Sequence, residues 1–232
     1  MEKVIINSRE ELQEIIKNSP IDADLNHLDV SNITDMSWVF FNTKFNGNIS
    51  EWNVSNVKNM AGMFAQSEFN GNIENWDTSK VWNMSEMFSL SKFNPNFNSN
   101  ISNWNVGNVQ YMSFMFEGSK FNQDISNWDV SNVYNMDGMF AMSLFDKDIS
   151  KWNVSKVTIM SEMFRKSIFN QDISNWNTKN VWNMESMFEG SKFDKDITKW
   201  NINKVTNSVK IFFNSPLENR IKPKTVQSFV FI

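Results

Sequence analysis

A 24-residue repeat runs through almost the whole chain and constrains its fold more than any other feature of the sequence. A tryptophan recurs 24 residues apart, except for one 28-residue step, at Trp52, Trp76, Trp104, Trp128, Trp152, Trp176 and Trp200. Leu28 holds the same place one repeat earlier. The four extra residues of the long step predict a loop insertion near 94–100. Such self-similarity is typical of architectures in which each repeat contacts only its neighbours.

Each repeat supplies eight apolar positions, which predict one continuous core. In one repeat these are Trp128, Val130, Val133, Met136, Met139, Phe140, Phe145 and Ile149. The spacing Ile125-x-x-Trp128-x-Val130 predicts a short strand with its apolar side chains inward. The intervals from Val133 to Phe140 predict a helical or 3₁₀ turn with one buried face. We therefore expect an α/β solenoid, a curved rod with one sheet of short parallel strands.

The repeat pattern F-N-x-D-I-S-x-W-D-V-S-N-V-x-N-M-x-x-M-F resembles the BspA-like leucine-rich repeats of surface proteins from mycoplasmas, spirochaetes and other low-GC bacteria. The resemblance extends from about Asp29 to Phe213. It implies a leucine-rich-repeat fold and a binding role, and it brings no catalytic residues to this chain.

The two ends differ from the repeats and predict terminal caps. In residues 1–27 the capping box Ser8-Arg9-Glu10-Glu11 predicts a helix over about 9–18 that Pro20 terminates. Residues 28–213 hold about seven to eight leucine-rich-repeat-like units. Residues 214–232 form a C-terminal cap or tail, in which the final SFVFI is either a capping strand or an exposed edge that recruits a partner.

The composition excludes most kinds of catalytic site. The chain has no cysteine and a single histidine, His27, so thiolate sites, disulfides and His-cluster metal sites are not expected. The D-K-D pairs at 146–148 and 194–196 are expected to be solvated turn carboxylates. We therefore expect no enzyme activity, no cofactor and no metal. We also expect no membrane-spanning helix, and a cytoplasmic location unless an export signal precedes the sequence, in which case the protein is surface-bound or secreted.

Five aromatic residues stand outside the repeated core positions and are candidate anchors for a partner. Trp82, Tyr134 and Trp182 lie six residues after the repeated tryptophan, where other repeats carry polar residues. Trp38 lies ten residues after Leu28, and Phe114 lies ten residues after Trp104. Tryptophan and tyrosine dominate interface hot spots, but incidental local packing is an equally open interpretation.

Charge is distributed unevenly along the chain. Residues 1–116 hold 7 Lys/Arg and 13 Asp/Glu, whereas residues 117–232 hold 15 and 13, within a total net charge of −4. We expect five lysines to cluster by stacking: Lys151, Lys156, Lys179, Lys199 and Lys204. Such a patch attracts nucleic-acid phosphates or an acidic protein, while solvated lysines that maintain solubility are the alternative.

Taken together, these patterns predict a non-catalytic macromolecule-binding scaffold whose favoured partner is another protein. One alternative is an intracellular inhibitor or regulator, encoded by a phage or mobile element, that docks on a nucleoprotein enzyme through the C-terminal lysines. Another is an adhesin-type surface module. The sequence leaves the oligomeric state open.

Overall fold

The computed structural model describes residues 3–90 and 100–220, so the SFVFI tail and nearly all of the predicted insertion lie outside the described residues. Three regular elements precede or begin the repeats: strand β1 (Val4–Ile5), helix α1 (Arg9–Asn18) and strand β2 (Leu28–Asp29). Strand β1 pairs in parallel with β2, which places Val4 opposite Leu28. The N-terminal segment is thereby joined to the first repeat.

Helix α1 occupies the range that the capping box predicts. Its N-cap residue Ser8 accepts a hydrogen bond at Oγ from the Glu11 N–H (3.1 Å), and Glu11 Oε2 accepts one from the Asn7 N–H (2.9 Å). Leu12 and Ile16 are buried and belong to the same hydrophobic core as the repeats. This amphipathic helix therefore packs its apolar side on the repeat array.

Consecutive repeats are joined by parallel bridges at one conserved position. We number repeat positions from the recurring tryptophan, or Leu28, as position 0. Apart from the bridge between Asp24 and Asn48, the isolated β-bridges between described repeats all lie at position +7. For example, Asn135 pairs with Tyr111 of the preceding repeat and with Ile159 of the following one. After the bridge, the N–H groups at +8, +10, +12 and +14 donate to carbonyls of the following repeat. In one repeat these donors are Met136, Gly138, Phe140 and Met142, with donor–acceptor distances of 2.7–3.0 Å. The molecule is thus a repeat protein whose units are connected in parallel.

The short strand predicted over Trp128 and Val130 is not where the parallel bridges form, since they occur seven residues after the tryptophan. The reason lies in local turns. The Trp128 N–H donates to the Ile125 carbonyl (3.1 Å), and the Ser131 N–H donates to Asp129 Oδ1 (3.0 Å). These donors are used within their own repeat, so they do not form a ladder with the next one.

The predicted helical turn is replaced by a chain of overlapping tight turns. In each described repeat the residues at +10 and +14 have positive φ, between 48° and 64°, whether or not they are glycine. The Met139 N–H donates to the Met136 carbonyl (3.2 Å), so the left-handed residue Gly138 is the third residue of a four-residue turn. Because alternate N–H groups bond to the next repeat, they are not available for the i to i−4 bonds of a helix.

The core consists of stacked columns, as the repeat predicts. The recurring tryptophans are at most 7% exposed, and each indole Nε1–H donates to a carbonyl at position −3 of the preceding repeat, as from Trp128 to Ile101 (3.2 Å). Phenylalanines at +12 stack from repeat to repeat, for example Phe116 on Phe140 with ring centroids 5.8 Å apart. Large aromatic burial combined with a satisfied indole donor makes position 0 a structural site.

Candidate binding surface

Three of the five candidate aromatics share one row on the surface. Trp82, Tyr134 and Trp182 occupy position +6 and are 40%, 42% and 44% exposed. Their backbones belong to an unbroken series of hydrogen bonds in which each +6 N–H donates to the +6 carbonyl of the preceding repeat. Thus Tyr134 donates to Gln110 (2.9 Å), and Trp182 donates to Thr158 (3.0 Å). We call Trp82, Tyr134 and Trp182 the aromatic row.

Tyr111 extends the aromatic surface beside this row and was not singled out in the sequence. It lies at the bridge position +7, where most repeats carry asparagine, and is 39% exposed. Its ring meets that of Trp82 edge-on, with centroids 5.8 Å apart and planes at 79°. The sequence could have indicated Tyr111, because it is an aromatic residue at a position where most repeats carry asparagine.

The other two candidates, Trp38 and Phe114, belong to a different row and have a local packing role. Both occupy position +10, and each side chain lies over the glycine that occupies +10 in the next repeat. A Cβ added to Gly62 would lie 2.2 Å from Trp38 Cε3, and one added to Gly138 would lie 2.2 Å from Phe114 Cε1. These close approaches favour the local-packing interpretation for Trp38 and Phe114.

The five candidate lysines are exposed, and the structure divides them among three positions. Lys156 and Lys204 occupy position +4, where each Nζ donates to the asparagine Oδ1 of the preceding repeat, over 2.6 Å to Asn132 and 2.8 Å to Asn180. Lys80, which the sequence analysis did not select, makes the same bond to Asn56 (2.7 Å). Lys80 could have been found from the sequence, because it lies at the same repeat position, +4, as Lys156 and Lys204. We call Lys80, Lys156 and Lys204 the lysine row.

Of the remaining candidates, Lys179 lies at +3, while Lys151 and Lys199 lie at position −1 on a surface that also carries carboxylates. Lys151 lines a shallow cleft together with Asp124 and Asp148. A backbone hydrogen bond from Ser150 is the main cause that lowers the pKa of Asp148, and the charge of Lys151 adds to it. The negative groups interrupt the positive surface that stacking of the lysines predicts.

Position +4 also carries the amide contacts that connect repeats. Asn132 Nδ2 donates to the Gly107 carbonyl (2.7 Å), and Asn180 Nδ2 donates to the Ser155 carbonyl (2.8 Å). The asparagines at position +1 behave differently, since Asn153 Oδ1 accepts the Ser155 N–H of its own turn (3.2 Å). The +4 amides therefore hold the lysine row in register.

Positions +4 and +6 border the same groove. At the N-terminal repeats a cleft of about 520 Å³ is lined by Ser31, Asn32, Thr34, Asn56, Lys58 and Lys80, which occupy positions +3, +4 and +6. Because the backbone bonds at +6 continue from Thr34 to Thr206, the same two positions remain neighbours along the later repeats. In the later repeats the aromatic row at +6 and the lysine row at +4 lie on either side of the buried valines at +5. We call the strip between these two rows the groove.

An acidic surface lies past the aromatic row, at positions +9 to +13. Burial raises the pKa of the Asp137 carboxyl, and the charges of Glu162 and Glu185 add to the increase, while a hydrogen bond from Ser161 Oγ (2.7 Å) opposes it. Burial also raises the pKa of Glu117. The sequence pattern does not reveal this surface, because its acidic residues occupy different positions in different repeats.

No group of three or more potential metal ligands occurs within residues 3–90 and 100–220. In the two D-K-D pairs, Asp148 and Asp196 accept backbone N–H groups of their own turns, whereas Asp146 accepts the Asn170 N–H of the following repeat (2.9 Å). Among the described residues there is also no helix with the length and apolar character that a membrane crossing requires.

Comparison with known families gives one match, which covers most of the chain in overlapping segments. The family described as Mycoplasma protein of unknown function, DUF285, matches residues 10–96, 90–164 and 121–224. No curated protein and no solved structure matches the chain.

Proposed function

The chain belongs to this Mycoplasma DUF285 family, and we propose that it is a non-catalytic scaffold that recognises another protein through its repeat surface. We further propose that the repeats form a solenoid of the BspA-like leucine-rich-repeat type. The parallel bridges and the continuous buried columns support this more specific assignment.

The observation that carries the proposed function is the aromatic row. Three large aromatic side chains are each about two-fifths exposed on an unbroken series of backbone hydrogen bonds. A surface held in this way loses little conformational freedom when a partner docks, so more of the contact energy remains as affinity. Tryptophan and tyrosine at the centre of an interface are the residues that most often contribute about 2 kcal/mol or more each.

The test compares partner capture by three forms of the full chain immobilised on a resin. They are the wild type, a row variant with Trp82→Ser, Tyr134→Ser and Trp182→Ser, and a control variant with Met142→Ser, Leu144→Ser and Ile168→Ser. The control removes three apolar side chains of matched exposure (41%, 44% and 42%) at positions +14 and +16. Lysate from a mycoplasma is applied with and without nuclease, and bound proteins are quantified by mass spectrometry.

We expect a protein that the wild type and the control retain and that the row variant loses, with its affinity reduced about 30-fold or more. Capture that nuclease abolishes would favour the nucleoprotein alternative. Equal retention by all three forms would refute the role of the aromatic row. Thermal unfolding of each variant checks that the substitutions leave the fold intact.

A further inference from the structure

The members of the aromatic row lie on alternate repeats. Trp82, Tyr134 and Trp182 occupy the third, fifth and seventh repeats, while Gln110 and Thr158 occupy +6 in the repeats between them. Strands joined by parallel backbone bonds lie about 4.8 Å apart. Neighbouring aromatics of the row are therefore about 9.6 Å apart, and the whole row spans about 19 Å.

A long ligand that contacts all three aromatics has to present similar groups at this spacing. A polyproline II segment has three residues per turn and rises about 3.1 Å per residue, so every third side chain returns to one side after about 9.3 Å. Six residues then cover about 18.6 Å, close to the span of the row. An extended strand repeats its face every 6.8 Å or so, and two helical turns cover about 10.8 Å, so both lose register along the row.

The chemistry of the row also suits a polyproline II segment. The side chains at +6 between the outer tryptophans are aromatic or uncharged, namely Gln110, Tyr134 and Thr158. Proline rings pack on aromatic faces, and this helix has no internal hydrogen bonds, so its carbonyls accept from donors such as an indole N–H. Aromatic-lined grooves bind proline-rich segments for this reason, because such a ligand loses little entropy when it docks.

The opposite side of the groove specifies the charge of the ligand. The ammonium groups of Lys80, Lys156 and Lys204 are held at position +4 by amide oxygens, over 2.6–2.8 Å. Two carboxylates lie near this side, Asp77 and Asp129. Hydrogen bonds from their own turns mainly lower their pKa values, with smaller contributions from Lys80 and Lys156. Acidic side chains on the ligand would face the ammonium groups.

We propose that the groove between the aromatic row and the lysine row binds an acidic, proline-rich protein segment in the polyproline II conformation. Three prolines at intervals of three residues pack on Trp82, Tyr134 and Trp182, and the acidic residues between them face the lysine row. This inference rests on the proposed function and specifies the class of partner.

The test uses a fluorescein-labelled (Pro-Asp-Glu)4 peptide and fluorescence anisotropy with the full chain. The matched control peptide is (Gly-Asp-Glu)4, which has the same charge but lacks the preformed helix. We expect the proline peptide to bind at least tenfold more tightly than the glycine peptide. The row variant described above should lose at least tenfold in affinity for it, whereas the Met142, Leu144 and Ile168 control variant should bind as the wild type does.

The charge requirement is tested separately with Lys156→Gln combined with Lys204→Gln. We expect weaker binding of (Pro-Asp-Glu)4 and a smaller loss of affinity on adding salt, while binding of an uncharged (Pro-Gln-Gln)4 peptide should not change.

Equal binding of the proline and glycine peptides would overturn the inference, because charge alone would then explain it. Equal losses in the row and control variants would also overturn it. So would binding of a β-1,4-linked glucose hexamer through the row in place of the peptide. If the lysate experiment yields a row-dependent protein and the proline peptide does not bind, the proposed function stands and this inference fails.

Discussion

Replacing Gly138 by alanine tests how closely the +10 side chains of neighbouring repeats are packed. Gly138 has φ +57°, and an added Cβ would lie 2.2 Å and 2.3 Å from two ring atoms of Phe114. The substitution therefore has two separate costs. The left-handed backbone disfavours a side chain by about 1–2 kcal/mol, and displacing the ring from its packed position adds about 1–3 kcal/mol.

Gly118 separates these two costs because it has a similar backbone and more space. Its φ is +64°, and the nearest atom to an added Cβ is Leu90 Cα at 3.9 Å. Gly118→Ala should thus lower the free energy of unfolding by only the backbone amount, about 1–2 kcal/mol. Gly138→Ala should lower it by about 2–5 kcal/mol, and in a Phe114→Ser background the cost should fall to that of Gly118→Ala.

Urea unfolding followed by tryptophan fluorescence measures these differences as shifts of the transition midpoint at constant slope. The four proteins needed for the cycle are the wild type, Gly138→Ala, Phe114→Ser and the double variant. A cost for Gly138→Ala within about 0.5 kcal/mol of that for Gly118→Ala would refute the packing argument. A cost that Phe114→Ser leaves unchanged would refute it as well.

Three further predictions concern a buried donor and two carboxyls. Trp128→Phe removes the indole bond to the Ile101 carbonyl and should cost about 1–3 kcal/mol in urea unfolding. The folded-state pKa of Asp148 is lowered, so its stabilisation is present above its unfolded pKa and is lost on acidification; Asp148→Asn should reduce the fall in Tm below about pH 4. The folded-state pKa of Asp137 is raised, so the stabilisation from its protonated carboxyl is present below its unfolded pKa and is lost as the pH rises. Asp137→Asn should therefore increase Tm at pH 7 and reduce the change in Tm between about pH 4 and 7.

The core was predictable from the sequence because its determinants recur in every repeat. Position 0 carries tryptophan or leucine throughout, and the structure buries each of these side chains. The path of the backbone was not predictable from the same pattern. Alternation at Trp128 and Val130 fits a strand, but Asp129 accepts the Ser131 N–H and closes a turn in place of a ladder.

The positive φ values at +10 and +14 were hidden for a different reason. Glycine would have indicated them, yet Glu162, Ser186 and Lys210 adopt the same left-handed conformation at +10. Hydrogen bonds to the next repeat hold Glu162 and Ser186 there, and that constraint is not visible in a local sequence window.

The candidate site was predictable where it depends on a single repeat position. Trp82, Tyr134 and Trp182 stand out because other repeats have polar residues at +6. The relation between +4 and +6 depends instead on the course of the backbone between the two positions. The neighbours of Lys151, including Asp124 of the preceding repeat, likewise become evident only once the repeats are stacked.

The alternate placement of the aromatics at +6 has a consequence for how such a chain can change in length. In the gene, the unit that reproduces the spacing of the row is two repeats, which take 52 residues from Trp82 to Tyr134 and 48 from Tyr134 to Trp182, whereas the unit that reproduces the core is a single repeat. Duplication or deletion of a single repeat between Trp82 and Trp182 would keep the interior intact and shift one aromatic out of phase. Gain or loss of two repeats at a time would preserve both the core and the spacing of the aromatic row. Gain or loss of an odd number of repeats would preserve only the core.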